Sequence, residues 1–216
     1  MDQSVLDAQI RWPDVPAAYG WLSLTARGEW RLHPLGDAQQ GGLGQGISNS
    51  QILTFIGRNY SAQPDGAWYF QNGPQRVYVR LEAAPFILRA DTTTGALVTH
   101  TGLTITHITQ WVTDDSGQLY AQTNLGAARV DDRDLARLAE VLGTGNGRSL
   151  FDYLEQDTTA ASFGSQMALL DPTGHFAALT QPAPLCTALQ KDLPKRLGFI
   201  ANPAAPFTHS APLPLK

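Results

Sequence analysis

Trp21-Leu22-Ser23-Leu24-Thr25-Ala26-Arg27-Gly28-Glu29-Trp30-Arg31-Leu32 reads as a β-hairpin: an alternating run, a turn at Arg27-Gly28, and a second alternating run. The same design returns at Trp111-Val112-Thr113, with a turn at Asp115-Ser116-Gly117 and the run Gln118-Leu119-Tyr120. A helix start of one design follows each hairpin. In Ile47-Ser48-Asn49-Ser50-Gln51-Ile52, Ser48 is the expected N-cap, Gln51 its reciprocal partner, and Ile47 with Ile52 the hydrophobic staple. In Val130-Asp131-Asp132-Arg133-Asp134-Leu135, Asp131 takes the cap, Asp134 complements the helix dipole, and Val130 pairs with Leu135. Apolar residues then recur at helical spacing, as Ile52, Phe55 and Ile56 and as Leu135, Leu138, Val141 and Leu142. Both helices run into glycine turns, Pro64-Asp65-Gly66 and Gly143 to Gly147, and on to the aromatics Trp68-Tyr69-Phe70 and Phe151. Two copies at a spacing of roughly 83 to 89 residues are too few and too far apart for a solenoid.

Further strands are expected at Val77 to Leu81, Phe86 to Arg89, Ala96 to Thr99, Leu103 to Val112, Gln166 to Leu170 and His175 to Leu179. The fold class is therefore α+β, mostly antiparallel strands with two duplicated hairpin–helix units and few helices. On this reading the chain divides into an N-terminal extension 1–18, a first unit 19–95, a second unit 96–180 packed on the first, and a proline-rich strap or tail 181–216.

Composition narrows the function classes. A hydrophobic fraction of 43% against 16% charged residues is that of a chain that folds around a core. The formal charge of −4 opposes a polyanion, so nucleic acid is not an expected partner. No apolar run approaches the ~18–20 residues that span a bilayer, and the polar, acidic start does not read as a signal peptide. The expectation is a cytoplasmic protein that does not enter membranes. The one cysteine, Cys186, has no internal disulfide partner and reads as a small buried hydrophobe.

The order Gly28-Glu29-Trp30, a capped helix with Phe55-Ile56, Phe70-Gln71-Asn72-Gly73-Pro74-Gln75-Arg76-Val77-Tyr78-Val79, then Glu82 and Ala84-Pro85-Phe86 resembles an uncharacterised proteobacterial family of unknown function. It is similar, more distantly, to a second bacterial family of unknown function. That likeness implies a mixed α/β fold with repeated motifs and a link to signal transduction. The resemblance covers roughly residues 20 to 142 and is specific in Phe70 to Val79; the run Asp37 to Gly46 departs from it. Neither family brings catalytic residues to carry over.

The stretch that invites chemistry is Phe70 to Arg76. Asn72-Gly73-Pro74 forms a tight turn, and strand alternation then puts Arg76, Tyr78, Arg80 and Glu82 on one face. Two guanidinium groups beside a phenol suit a carboxylate or phosphate, which makes Gln71, Asn72, Gln75, Arg76, Tyr78 and Arg80 the candidate ligand residues. A solvated strand face with a cross-strand Arg–Glu pair, or a partner or homo-oligomer interface, is the competing reading. The glycines of Gly41 to Gly46 lack the Lys-Ser/Thr of a P-loop and the spacing of a dinucleotide fingerprint, so a flexible insertion is favoured. His33, His100, His107, His175 and His209 show no metal-ligand spacing, and Asp131-Asp132-Arg133-Asp134 is better explained by helix capping; neither metal nor cofactor is expected. There is no Gly-x-Ser-x-Gly elbow, Phe163-Gly164-Ser165-Gln166-Met167 being a partial echo, although a Ser-His-Asp triad assembled from remote residues stays open. Two functions follow: a non-catalytic regulatory or binding protein for a small anionic ligand or a protein partner, or a hydrolase with a loop-assembled site.

Overall fold

The structure is a computed structural model that describes residues 1–91, 93–144, 149–150 and 167–205. Phe151, the glycines at 145 and 147, the echo around Ser165, and His209 lie outside them. The N-terminal helix α1 (Gln3–Arg11) precedes β1 (Ala18–Leu24), β2 (Trp30–Leu32) and β3 (Gln45–Gly46). Then come α2 (Ser50–Arg58), β4 (Tyr60–Ala62), β5 (Trp68–Asn72) and β6 (Gln75–Leu81). The chain crosses to β7 (Phe86–Asp91), β8 (Ala96–Thr99) and β9 (Thr104–Ile105). A second series follows: β10 (Ile108–Asp114), β11 (Leu119–Thr123), β12 (Gly126–Val130), α3 (Asp132–Val141), β13 (Gly143–Thr144), β14 (Met167–Leu170) and β15 (Ala183–Ala188).

The two series build two separate sheets with the same strand order. The first runs β4-β5-β6-β1-β2-β3, and the second β13-β14-β15-β10-β11-β12, with β7-β8-β9 added at its far edge. In each, the first strand pairs parallel with the last, β1 with β6 and β10 with β15, and antiparallel partners flank them. The fold is thus α+β and strand-rich, with few helices among the described residues.

The two hairpin turns share their hydrogen bonding as well. Thr25 N donates to Glu29 O and Gly28 N to Thr25 O; Asp114 N donates to Gln118 O and Gly117 N to Asp114 O. The side chain at the first position finishes the loop, Thr25 Oγ1 accepting from Glu29 N (3.0 Å) and Asp114 Oδ1 from Gln118 N (2.8 Å). Gly28 (φ +81°) and Gly117 (φ +77°) take the left-handed position that closes such a loop against a bulge. At Gly28 a side chain would also strike His100, whose Cβ lies 2.7 Å from where a Cβ would stand. One apolar cluster runs from Leu22, Trp30 and Ile56 through Phe86 and Leu88 to Trp111, Leu138 and Leu185.

Several expectations need correcting. The cap of α2 is Asn49, not Ser48: its side chain accepts from Gln51 N (2.9 Å) and Ile52 N (3.1 Å). Starting the helix one residue later puts Gln51 at the second helical position, out of reach of a capping box, and leaves Ile52 48% exposed, free of any staple. Asp131 does cap α3, accepting from Arg133 N. The run Leu103 to Val112 breaks at Thr106-His107, where Asn124 Oδ1 takes the Thr106 N–H (3.0 Å) out of the ladder. His175 to Leu179 is no strand but ends in a 3-10 turn, Ala177–Leu179, because the buried Asp171 carboxylate accepts from Thr173 N (2.8 Å) and Phe176 N (2.8 Å). Within the proline-rich segment, Ala183–Ala188 is an extended strand inside the second sheet between β14 and β10, and a short helix, Leu193–Leu197, follows. Cys186 within it is half-buried and accepts from Gln110 Nε2 (3.2 Å). No helix among the described residues is long and apolar enough to cross a membrane.

Candidate functional site

The β5–β6 hairpin turns in two residues. Gly73 (φ +57°) takes the first central position, where such a loop calls for positive φ, and Pro74 fixes the second. The register pairs Phe70 with Val77, Gln71 with Arg76 and Asn72 with Gln75. Because side chains alternate across a strand, this short hairpin feeds two clefts on opposite faces of the sheet. Gln71, Arg76 and Tyr78 line the outer one, of about 300 Å³, roofed by Gln9, Trp12 and Val15 of the N-terminal segment. Phe70, Asn72, Gln75 and Val77 line the inner one, of about 650 Å³, beneath α2.

The N-terminal segment is held in place over the outer cleft. Asp2 receives the Arg58 guanidinium (2.9 Å) and donates its own N–H to Asn59 Oδ1 (2.8 Å). Gln75 Nε2 donates to Pro16 O (3.2 Å), and Tyr19 stacks on Tyr78 with ring centres 4.5 Å apart. Burial against this stack raises the Tyr19 hydroxyl above its usual pKa. The Arg76 guanidinium lies 4.4 Å above the Tyr69 ring, a cation–π contact that holds it without spending its N–H donors. Its Nε is buried without a hydrogen-bond partner, and so is Oε1 of Gln71, whose Nε2 donates to Gly73 O (3.0 Å). The structure therefore brings Gln71, Arg76 and Tyr78 together and turns Asn72 and Gln75 to the other face. Arg80 lines neither cleft; Glu82, two residues along the chain, is its partner at 3.5 Å.

A polar chain invisible to strand alternation lies nearby on β1. Ser23 Oγ is 2.8 Å from His33 Nε2, and His33 Nδ1 is 3.2 Å from Asp37 Oδ1. The only sequence signal for it was the four-residue spacing of His33 and Asp37, since Ser23 joins them across the hairpin. The glycine run closes on it: a Cβ on Gly44 would stand 2.7 Å from His33 Nε2, and one on Gly42 2.2 Å from Asp37 Oδ2. The run is thus a close-packed cover ending in β3, where a free insertion was expected. Ser23 is 1% exposed and His33 fully buried, and the serine sits in register with Arg31 and Arg80 on both sides. In this state the three residues form a strut that ties the loop to the sheet.

Elsewhere the acidic run at α3 is consumed locally. Asp131 pairs with Arg133 and Arg89, Asp132 with Arg129, and Asp134 accepts from Ala90 N. No group of three or more His, Cys, Asp or Glu side chains suited to a metal ion occurs among the described residues.

The profile of a family described as "Protein of unknown function (DUF2946)" matches residues 1–204. Among solved structures, the chain is similar to a DUF1285 family protein from Silicibacter pomeroyi DSS-3, at 12% identity over 87% of this chain and 91% of that one, with a TM-score of 0.49. It is also similar to a DUF1285 family protein from Shewanella baltica OS155, at 15% identity over 55% of this chain and 89% of that one, with a TM-score of 0.38. No curated protein matches it.

Proposed function

Because the chain belongs to that family of unknown function, we propose its role from geometry: a non-catalytic, regulatory or binding protein that holds a small carboxylate in the outer cleft beside Arg76. The observation that carries this is that two residues lining one cleft, Arg76 and Gln71, each hold a buried polar atom without a hydrogen-bond partner, Nε and Oε1. Arg76 needs an acceptor and Gln71 a donor. A carboxylate with a neighbouring hydroxyl or ammonium group, as in a hydroxy acid or an amino acid, meets both needs. A cleft of about 300 Å³ suits a molecule of a few carbons. Leaving such atoms unmet costs about 1–3 kcal/mol each, a penalty that such a ligand relieves on binding.

Calorimetry across a panel of short hydroxy and amino acids is the test. Arg76→Ala is expected to weaken the best ligand by about tenfold or more, the worth of a hydrogen bond to a charged group. Arg80→Ala, whose guanidinium already faces Glu82, should leave affinity unchanged. Equal losses in both variants would reduce the effect to general surface charge, and no binding across the panel would retire the proposal.

The hydrolase reading has one observation behind it, the Ser23–His33–Asp37 chain. Acyl transfer needs an exposed nucleophile and free backbone donors for the oxyanion. Ser23 has neither exposure nor an unpaired flank. A fluorophosphonate probe is expected to leave the native protein unlabelled. Labelling that Ser23→Ala abolishes would put the hydrolase in place of the binding protein.

A further inference from the structure

We infer that the inner cleft, on the opposite face of the β5–β6 hairpin, is a second ligand site, and that its ligand is an uncharged aliphatic molecule. The cleft, about 650 Å³, lies between α2 and the strands β1, β2 and β6, within the range of small-molecule sites. Its walls are apolar, with Trp21, Leu32, Ile52, Ile56 and Phe70 among them, and no residue lining it carries a charge. Its polar side-chain groups are the amides of Gln45, Asn72 and Gln75, the last with its Nε2 already donated to Pro16 O, and the indole N–H of Trp21. Amides donate and accept without charge, so the lining complements a neutral alcohol, ester or amide head on an alkyl chain. A carboxylate or ammonium would be desolvated there with no counter-charge.

The second copy of the fold provides an internal comparison. Its helix α3 buries Leu138 completely and Ala139 almost so, and with Leu150 it leaves a cleft of about 330 Å³ against its sheet. Helix α2 fully buries only Ile56, and Ile52 and Trp21 stand 48% and 46% exposed. The same connectivity leaves a cleft in the second copy about half the size of the one it leaves in the first. The open apolar wall is anchored by the Asn49 cap at one end of α2 and by Asn59, which receives bonds from the N-terminal segment, at the other. It is built into the first copy of the fold.

The experiment is a series of 1-alkanols from butanol to decanol, followed by calorimetry and by tryptophan fluorescence through Trp21. Affinity is expected to rise roughly fourfold per methylene until the cleft is full and then to level off. Alkanoates and alkylammonium ions of equal length should bind at least tenfold more weakly. Ile52→Glu, at an exposed position, should cut decanol affinity at least tenfold at unchanged melting temperature. Trp21→Phe should abolish the fluorescence change and keep the heat of binding. Arg76→Ala should not affect the alkanols, nor Ile52→Glu the carboxylates, so each site stands or fails alone. Affinity independent of chain length, or unaltered in Ile52→Glu, overturns the inference. So does a dimer in sedimentation that Ile52→Glu dissociates, since the wall would then be a surface between copies.

Discussion

Acidification from pH 7 to pH 4 is expected to cost the folded state about 3 kcal/mol through His100 alone. The ring sits where the first copy's hairpin meets the second sheet, beside Trp30, Tyr60 and Phe86, with Gly28 against its Cβ. Its Nδ1 accepts from Ile87 N (3.3 Å), which puts the ring proton on Nε2, itself buried without a partner. Burial, and then the positive charge of Arg89, lowers its pKa from 6.5 to about 3. The sign follows from proton counting: below pH 6.5 the unfolded chain binds a proton that the folded ring refuses. Stability is therefore whole above pH 6.5 and falls by about 1.4 kcal/mol per pH unit until the pH nears 3. Urea denaturation across this range checks it. His100→Gln, which keeps an acceptor for Ile87 N and cannot titrate, should flatten the slope between pH 6.5 and 4.5. A slope that survives the substitution assigns the acid lability to another group.

The hairpins were legible in the sequence because their chemistry is local: a glycine at a fixed offset and alternating side chains specify turn and strands together. Asp131 was legible for the same reason. Ser48-Asn49-Ser50 was not, because each of three adjacent residues can cap a helix, and it is Asn49 whose side chain accepts from Gln51 N and Ile52 N. Strand Ala183–Ala188 was hidden by Pro182 and Pro184, residues that argue against a central strand. The sheet tolerates Pro184 near the strand's start, before the parallel pairing of Leu185 with Trp111 begins.

Of the candidate site, alternation gave Arg76 and Tyr78 a common face and correctly put Val77 on the other. The competing reading of that face, an Arg–Glu pair, is met by Glu82, which holds Arg80 from two residues along the chain. Alternation could not foresee that residues 9–15 would roof Gln71 and Arg76, because that depends on a segment distant in the chain. The Ser23–His33 contact escaped for the same reason, since neither residue signals the other along its own strand.

Asp131→Ala is expected to cost about 3 kcal/mol, lowering the melting temperature by about 6–12 °C for a chain of this size. The carboxylate is 1% exposed and joins three structures at once. Oδ1 caps α3 through Arg133 N (3.1 Å) and accepts from Arg133 Nε (2.9 Å); Oδ2 accepts from Arg133 Nη2 (2.7 Å) and from Arg89 Nε on β7 (3.3 Å). Its backbone N–H meanwhile donates to Leu88 O (2.8 Å), so the cap lies directly on the strand the helix packs against. The hydrogen bonds from Arg133, outweighing the opposing effect of burial, bring its pKa from 3.8 down to about 2. A depressed carboxylate contributes stability above its unfolded pKa and loses it as pH falls from about 4 to about 2; the shift corresponds to about 2 kcal/mol at neutral pH. The cap adds about 1 kcal/mol. Asp131→Asn separates the two, because an amide oxygen still caps the helix and carries no charge. It should lose about 2 kcal/mol at pH 7, converge with the parent protein near pH 2, and leave the His100 slope above pH 4.5 untouched. Equal losses for Ala and Asn would show that the charge carries all of the effect; a loss for Ala alone would assign it to the cap.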